Sequence, residues 1–277
     1  MATRTRTRRR ARRTTPGGPA GTRALVLLGR AGFLARGIMY IVIGWIAFQI
    51  AFGRTRQQAD RTGALHALSA TPFGVVALWV LVVGFLGMAL WRLSEAVWPT
   101  GEGRKASARA LSFAKAVIYA VLGYGTLKYA IGAGAPQSSN QQSVDLTATV
   151  LRHTGGQVAV VVIGLAFIGG GLYLGYQAWR ERFLKDLELG RMSRRTRQIV
   201  EWLGRIGGIA RGIVFITAGV FLVVAAVDSQ PQQAKGVDSS LRELATTPAG
   251  PWLLALVAIG LIMFGLFSCC EARWRRF

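Results

Sequence analysis

The sequence predicts an all-α, polytopic membrane helix bundle of six transmembrane helices, built from three tandem two-helix repeats with pseudo-threefold symmetry. Three observations support this prediction: a residue pattern that recurs three times, long apolar runs without charge, and basic residues concentrated on one side of those runs. Hydrophobic residues make up 52% of the chain. So many apolar helices in a short chain leave no polar shell to cover them, which excludes an ordinary soluble protein.

The repeat consists of a basic residue, an aromatic residue four positions later and a glycine four positions after that. Each unit ends with an aromatic residue, Glu or Gln four positions on, and then Ala. The opening sets are Arg36, Tyr40 and Gly44; Lys115, Tyr119 and Gly123; and Arg211, Phe215 and Gly219. The closing sets are Trp91, Glu95 and Ala96; Tyr173, Gln177 and Ala178; and Phe267, Glu271 and Ala272. Self-similarity at constant offsets indicates a repeat architecture.

Apolar runs define the six spans, because a helix needs about 20 apolar residues to cross the hydrocarbon core. Five runs lack Asp, Glu, Lys and Arg, and the sixth, interrupted by Lys128, is assigned from its repeat position. The predicted spans are about 33–52, 73–96, 111–132, 156–179, 206–227 and 251–271. The predicted units are a tail at 1–23, repeats at 24–100 and 101–181, and a connection with the third repeat at 182–277.

The connections 53–72, 133–155 and 228–250 each contain an aspartate followed by apolar residues at helical spacing. Asp60, Asp145 and Asp238 are therefore predicted N-caps of short interfacial helices. An alternative is that the three carboxylates attract cations.

Basic residues predict the orientation of the bundle. Of the 34 Lys and Arg residues, 27 fall on the side shared by both termini. Cytoplasmic segments carry the excess of Lys and Arg, so we expect a multi-pass protein of the bacterial inner membrane with both termini in the cytoplasm.

The net charge of +22 comes mostly from segments next to the spans and from an arginine-rich N-terminal segment, residues 4–13. This segment cannot bury a core, so we expect a disordered tail that binds anionic lipid and not nucleic acid.

Several stretches resemble a known family. They read GRAGFLARGIMYIVIGWIAF, GALHALSATPFGVVALWVLVVGF and LWRLSEA, with later echoes GRIGGIARGIVFITAGVF and LRELATTPAG. They are similar to the bacterial membrane family called Domain of Unknown Function 1206, and the resemblance covers all but the basic tail. It implies three two-helix repeats and no activity, substrate or cofactor. In the middle copy Lys115 replaces Arg and Gln177 replaces Glu, so any charged role is expected in the first and third copies.

Two groups of polar residues are candidate sites. The basic residue that opens each repeat and the Glu or Gln that closes it should meet at one membrane boundary, as a charge clamp formed by Arg36, Glu95, Lys115, Gln177, Arg211 and Glu271. The expected ion pairs are Arg36 with Glu95 and Arg211 with Glu271, formed within a hairpin or with the neighbouring hairpin. An alternative is that these charges gate or coordinate a substrate. Gln49 and Lys128 occupy equivalent depths, so they form a small polar ring on the bundle axis, or else Lys128 extends to the outer interface.

Catalytic and metal-binding patterns are almost absent. The chain has two His residues at non-equivalent positions and the adjacent pair Cys269 and Cys270, and it lacks a Walker loop and a dinucleotide fingerprint. We therefore expect no enzyme activity, metal or cofactor. The favoured function is an accessory or scaffold subunit within a larger membrane assembly or a homo-oligomer. The alternative is a channel or permease with a pathway along the pseudo-threefold axis.

Overall fold

The computed structural model describes residues 19–98, 106–134, 137–245 and 249–276, and in these ranges the protein is built from helices. Six helices are long and apolar enough to cross a membrane, as predicted. They are α1 Pro19–Ala51, α3 Gly74–Val97, α4 Ala106–Ala130, α6 Gly156–Trp179, α7 Arg194–Val227 and α9 Gly250–Trp274. Three short helices complete the fold: α2 Arg61–Ser69, α5 Ser139–Leu151 and α8 Val237–Ala245.

The first helix of each repeat begins earlier than its apolar run. α1 begins at Pro19 and α7 at Arg194, where the side chain of Ser193 caps the helix by accepting from the N–H of Thr196. No proline follows these starts within either helix, so each continues beyond its apolar run through more polar sequence. The predicted disordered tail is thus wrong for residues 19–23, which are helical, and residues 1–18 lie outside the described ranges.

The short helices α2, α5 and α8 lie in the three connections where interfacial helices were predicted. They mark one end of the bundle. We call the other end the basic end; it carries the connection from Arg180 to Ser193, which contains two 3-10 turns, and Arg275 after α9. Leu187 and Arg275 form an isolated antiparallel bridge there.

One helix interface is repeated three times. The first helix of each repeat packs against the second helix of the preceding repeat in cyclic order: α4 on α3, α7 on α6, and α1 on α9. The glycine of the opening pattern lies at each contact. At each of these glycines an added Cβ would lie within 2.8 Å of a side chain on the facing helix, and the three side chains occupy equivalent positions in the repeats. The pairs are Gly44 with Ile262 at 2.8 Å, Gly123 with Leu86 at 2.7 Å and Gly219 with Ile168 at 2.8 Å. This glycine lets the helices approach closely, which favours packing in a membrane.

The hairpin interface within a repeat is formed only twice. In the first repeat a Cβ at Gly84 would lie 2.5 Å from the Cβ of Ala35, and in the third repeat Ala210 packs on Gly260 in the same way. In the middle repeat, α4 and α6 are both described in full, and they do not form the extensive interface that pairs α1 with α3 and α7 with α9. Their equivalent residues, Ala114 and Ala166, are exposed. The ring of six helices is therefore open between α4 and α6.

α9 lies at the centre of the packed part of the bundle. Leu254, Val257 and Leu261 of α9 form a buried cluster with Ile46 of α1 and Leu241 of α8. In the apolar stretch of α9, 56% of the residues are buried, whereas only 17% are buried in the corresponding stretches of α4 and α6. The middle repeat thus contributes the two most peripheral helices.

Candidate functional site

Three repeat-equivalent cations, Arg36, Lys115 and Arg211, converge inside the bundle toward its basic end. The ring of Phe264 lies between two of them, with the guanidinium carbons of Arg36 and Arg211 at 5.3 and 5.0 Å from its centroid. The ammonium group of Lys115 lies within electrostatic range of Arg92, Arg275, Glu95 and Arg211. We call these three residues the axial cations.

Arg36 is the axial cation that is neutralised by a carboxylate. Its Nε donates to Ser268 Oγ at 2.9 Å, and its Nη2 forms an ion pair with Glu271 of α9. Both side chains are largely buried, at 14% and 8% exposure. Glu271 also accepts from Arg275 Nη1 at 2.7 Å. Because these hydrogen bonds are charge-assisted and shielded from solvent, they stabilise the α1–α9 interface.

Lys115 and Arg211 make no ion pair and no side-chain hydrogen bond within the described residues. The Nε of Arg211 is buried without a partner. Its guanidinium lies 5.0 to 5.8 Å from the ring centroids of Phe264, Phe215 and Tyr40. Contacts with aromatic faces stabilise a cation by about 0.5–2 kcal/mol but leave the N–H donors unsatisfied.

The ion pairs of Arg36 with Glu95 and of Arg211 with Glu271 are not formed, whereas the predicted alternative, pairing with a neighbouring hairpin, is formed by Arg36 and Glu271. Ala35 packs on Gly84 and Ala210 on Gly260, which fixes the register of both hairpins. In each hairpin the carboxylate lies eleven residues beyond that glycine, about 16 Å along the helix. Glu95 instead pairs with Arg92 at 2.8 Å on its own helix.

The neighbouring repeat supplies the counterion. Gly37 packs on Gly265 and Cys269, and this register places Glu271 beside Arg36. In the third repeat the equivalent contact, Gly212 on Gly171 and Gly175, brings Gln177 to the same position relative to Arg211. The side chain of Gln177 has no hydrogen-bond partner in the described part of the chain. Since the middle repeat has Gln in place of Glu, Arg211 has no carboxylate partner among the described residues.

Arginines and aromatic rings alternate from Arg211 to Arg92. Arg36 and Arg275 lie 4.7 and 4.8 Å from the ring centroid of Phe33. Arg275 and Arg92 lie 5.5 and 4.3 Å from that of Trp91. Sequence reasoning missed Arg92, Ser268 and Arg275. The repeat contained a signal for two of them, because Arg92 and Ser268 both precede the closing Glu by three residues.

Positive charge exceeds negative charge in this cluster. Five cations, Arg36, Arg92, Lys115, Arg211 and Arg275, face the carboxylates of Glu95 and Glu271, with Asp186 at the edge, 3.2 Å from Arg275. Arg92 Nε is a second buried donor without a partner. Such an arrangement has the chemistry to hold an anion.

Of the two interpretations of Gln49 and Lys128, the polar ring on the bundle axis is not formed. Lys128 is exposed on α4, and Val224, its counterpart in the third repeat, is exposed on α7. Gln49 is half-buried and lines a groove with Arg54 and Thr55 near the α2 end. The exposed position of Lys128 agrees with the alternative in which its side chain extends to the interface.

The three predicted N-cap aspartates have different roles. Asp60 caps α2 as predicted, with Oδ1 accepting from the N–H of Gly63 at 3.0 Å. Asp145 is no cap, because it lies within α5, whose cap is Ser138. Asp238 lies in the first turn of α8, and its Oδ1 accepts from the N–H of Ala59 at 2.7 Å. The three connections differ in length and sequence, so equivalent aspartates fall at different points of their helices.

Hydrogen bonds between repeats close this end of the bundle. Asp60 Oδ2 accepts from the N–H and the hydroxyl of Ser139 at 2.7 and 3.0 Å, which joins the first repeat to the second. Asn140 Oδ1 accepts from the N–H of Gly236 at 3.2 Å, which joins the second to the third. The bond from Ala59 to Asp238 joins the third to the first. The links form a cycle although non-equivalent residues make them.

Arg61 ties α2 to α4 at the same end. Its Nη2 donates to the carbonyl of Leu122 and to Thr126 Oγ1, the latter at 3.0 Å. Burial lowers the pKa of Arg61 to about 10, while the charge of Asp60 acts in the opposite direction. Arg61 therefore stays protonated at neutral pH and serves as a charged anchor.

No group of three or more His, Cys, Asp or Glu side chains that could hold a metal ion occurs among the described residues. His66 and His153 are exposed, and Cys269 and Cys270 are free thiols. The Sγ atom of Cys269 packs directly against Gly37, since a Cβ added at Gly37 would lie only 2.6 Å from it. Helix packing therefore explains the position of Cys269.

Comparison with known proteins agrees with the repeat architecture. The pattern of the family described as Domain of Unknown Function (DUF1206) matches three times, at residues 31–99, 111–181 and 206–275. The chain is also 33% identical over 245 residues to YxxB, an uncharacterized protein of Bacillus subtilis (strain 168), with 87% of each chain covered. No solved structure matches.

Proposed function

This chain belongs to the Domain of Unknown Function 1206 family, and on that premise we propose that it is an accessory membrane protein whose middle repeat receives a transmembrane helix of a partner protein. The single observation that carries the proposal is the open hairpin. In the first and third repeats an alanine of one helix packs on a glycine of the other, and this contact is buried. In the middle repeat the equivalent residues, Ala114 of α4 and Ala166 of α6, are exposed.

Small residues on these faces matter because lipid is as apolar as a side chain. Membrane helices therefore associate through close packing and not through the hydrophobic effect. On α6, Gly169 and Gly170, which share the face of Ala166, have open space where a Cβ would point. A helix placed against α4 or α6 would approach as closely as α1 approaches α3 at Ala35 and Gly84.

We infer that a helix fills the opening between α4 and α6, because the residues equivalent to Ala114 contact a helix in the other two repeats. Ala35 and Ala210, the equivalents of Ala114, each pack on a glycine of an antiparallel membrane helix. The lack of a metal-binding cluster among the described residues is compatible with such a binding role but is not evidence for it.

The experiment is site-specific photo-crosslinking in native membranes. A photoreactive residue at Ala114 and one at Ala166 should capture the same protein, which should also copurify with the intact chain at fixed stoichiometry. Val76 of α3, which is exposed and apolar, is the matched control and should give no such product.

Three outcomes would argue against the accessory role. Capture of lipid alone would mean that no helix occupies the opening, and capture of a second copy of this chain would mean self-association. A disulfide between cysteines placed at 114 and 166 in one chain would mean that the middle hairpin closes on itself. The permease stays a prediction; substrate-dependent flux by the isolated protein in liposomes would favour it.

We also propose that the basic end faces the cytoplasm, because Lys and Arg are concentrated there. In a background without Cys269 and Cys270, an impermeant thiol reagent added from outside should label a cysteine at Ser138 and spare one at Ser193. The reverse pattern would invert the topology.

A further inference from the structure

Arg211 is an arginine inside the bundle whose buried Nε donor has no partner among the described residues. It makes no hydrogen bond or ion pair within the described ranges, and its Nε is buried. Leaving a buried donor unpaired is unfavourable, and leaving a charge unpaired is more so. Its repeat equivalent, Arg36, shows how this molecule satisfies such a group: with the carboxylate of Glu271 and the hydroxyl of Ser268.

We propose that Arg211 and Lys115 bind a phosphate group, which takes the place of the carboxylate that the middle repeat lacks. The positions that correspond to Ser268 and Glu271 are Leu174 and Gln177, and neither carries a negative charge. The missing charge is therefore a vacancy in the repeat pattern beside Arg211. Lys115, which also lies within electrostatic range of Arg92, Arg275 and Glu95, is the second cation near it.

The donor set selects for an oxyanion with several acceptor oxygens. A guanidinium presents its N–H groups in a planar fork that matches phosphate, and an ammonium group adds a point charge. Arg92 Nε is a further buried donor without a partner, and its charge also acts on Lys115. Two or three cations around one anion suit phosphate better than a singly charged, spherical chloride.

The opening between α4 and α6 gives a route to this site. Lys115 of α4 is only half-buried, and α6 does not cover that helix. The site lies toward the basic end, within reach of a membrane leaflet. The phosphate can therefore come from a lipid headgroup or from free phosphate, and the chemistry of recognition is the same for both.

The test measures the thermal stability of the full chain in neutral detergent with two probes. One is inorganic phosphate, with chloride at equal ionic strength as reference, and the other is short-chain phosphatidylglycerol. A saturable rise in Tm with phosphate assigns a free anion, and a rise with the lipid alone assigns a headgroup. Both results support the proposal. No rise with either probe overturns it.

Variants then locate the site. Arg211→Gln and Lys115→Gln should each weaken the effective probe at least about tenfold, the loss of one charge-assisted contact. Arg195→Gln, which removes an exposed charge of α7 outside the cluster, should leave binding unchanged. Equal weakening by Arg195→Gln would mean nonspecific attraction to a basic protein and would overturn the assignment.

Gln177→Glu tests the same site without removing a cation, so it can be measured even if Arg211→Gln and Lys115→Gln do not fold. It restores the carboxylate that Arg36 has in Glu271, so it should raise Tm without ligand and abolish the response to the effective probe. An unchanged response in Gln177→Glu would mean that phosphate binds elsewhere. The result is independent of whether a partner helix occupies the opening.

Discussion

The first and third repeats close as hairpins and the middle repeat does not, although all three carry similar small residues at the contact. Ala35 and Ala210 are buried, whereas Ala114 is exposed at the equivalent position. The interface between repeats, by contrast, is formed in all three places. Each middle helix has a complete partner in a neighbouring repeat, α4 in α3 and α6 in α7. The repeating unit of packing is therefore the pair of helices contributed by two successive repeats.

The strongest test compares two adjacent glycines of α6. Gly171 packs on α7, where a Cβ would lie 2.6 Å from the carbonyl oxygen of Gly212, whereas Gly170 has nothing within 4 Å. We expect Gly171→Leu to cost about 3 kcal/mol or more of stability, since the backbones must separate, and Gly170→Leu to cost almost nothing. Thermal unfolding in detergent measures both. Similar losses would contradict the repeated interface.

The next effect concerns the carboxylates that close the first and third repeats. Glu271→Gln leaves Arg36 and Arg275 without their shared partner and should cost about 3 kcal/mol. Glu95→Gln removes a pair whose carboxylate is 36% exposed and should cost about 1 kcal/mol or less.

A double-mutant cycle identifies the partner of Glu271. Glu271→Gln should couple with Arg36→Gln by about 1 kcal/mol or more, because these side chains are in contact. Glu271→Gln combined with Arg211→Gln should give additive changes in stability. Strong coupling to Arg211 would restore the hairpin pairing that the sequence suggested.

The hairpin contact itself can be probed with one substitution in two repeats. Ala35→Leu places extra methyl groups against Gly84 and should cost about 2 kcal/mol by overpacking. Ala114→Leu adds the same groups to an exposed face, so its Tm should match that of the unmodified protein. A large loss at Ala114 would show that the middle hairpin closes in detergent.

The smallest effect is expected at the opposite end. Asp60→Ala removes a helix cap and the link to Ser139, and should cost about 1–2 kcal/mol. Asp145→Ala removes exposed contacts to Gln141 and Gln137 and should cost at most about 0.5 kcal/mol. If the two variants unfold at the same temperature, the cycle of links between repeats does not stabilise the bundle.

The number of spans, the threefold repeat and the presence of short helices in three connections all follow from the periodicity of the sequence. These features depend on hydrophobicity and on spacing along the chain, which are local properties. It also identified the residue types of the charge cluster. The repeat-equivalent positions of Arg36, Lys115 and Arg211 are visible in the sequence, as is the replacement of Glu by Gln at position 177.

Which of these charges come into contact depends on how the helices pack in three dimensions. The register of a hairpin depends on where its glycines interlock, and contact at Gly84 and Gly260 moves the closing carboxylates about 16 Å from the cations of the same repeat. The cyclic packing of α1 on α9 then brings Glu271 to Arg36 from far along the chain. Offsets in sequence carry no information on that order, because a pairing between repeats and a pairing within a repeat produce the same pattern of residues.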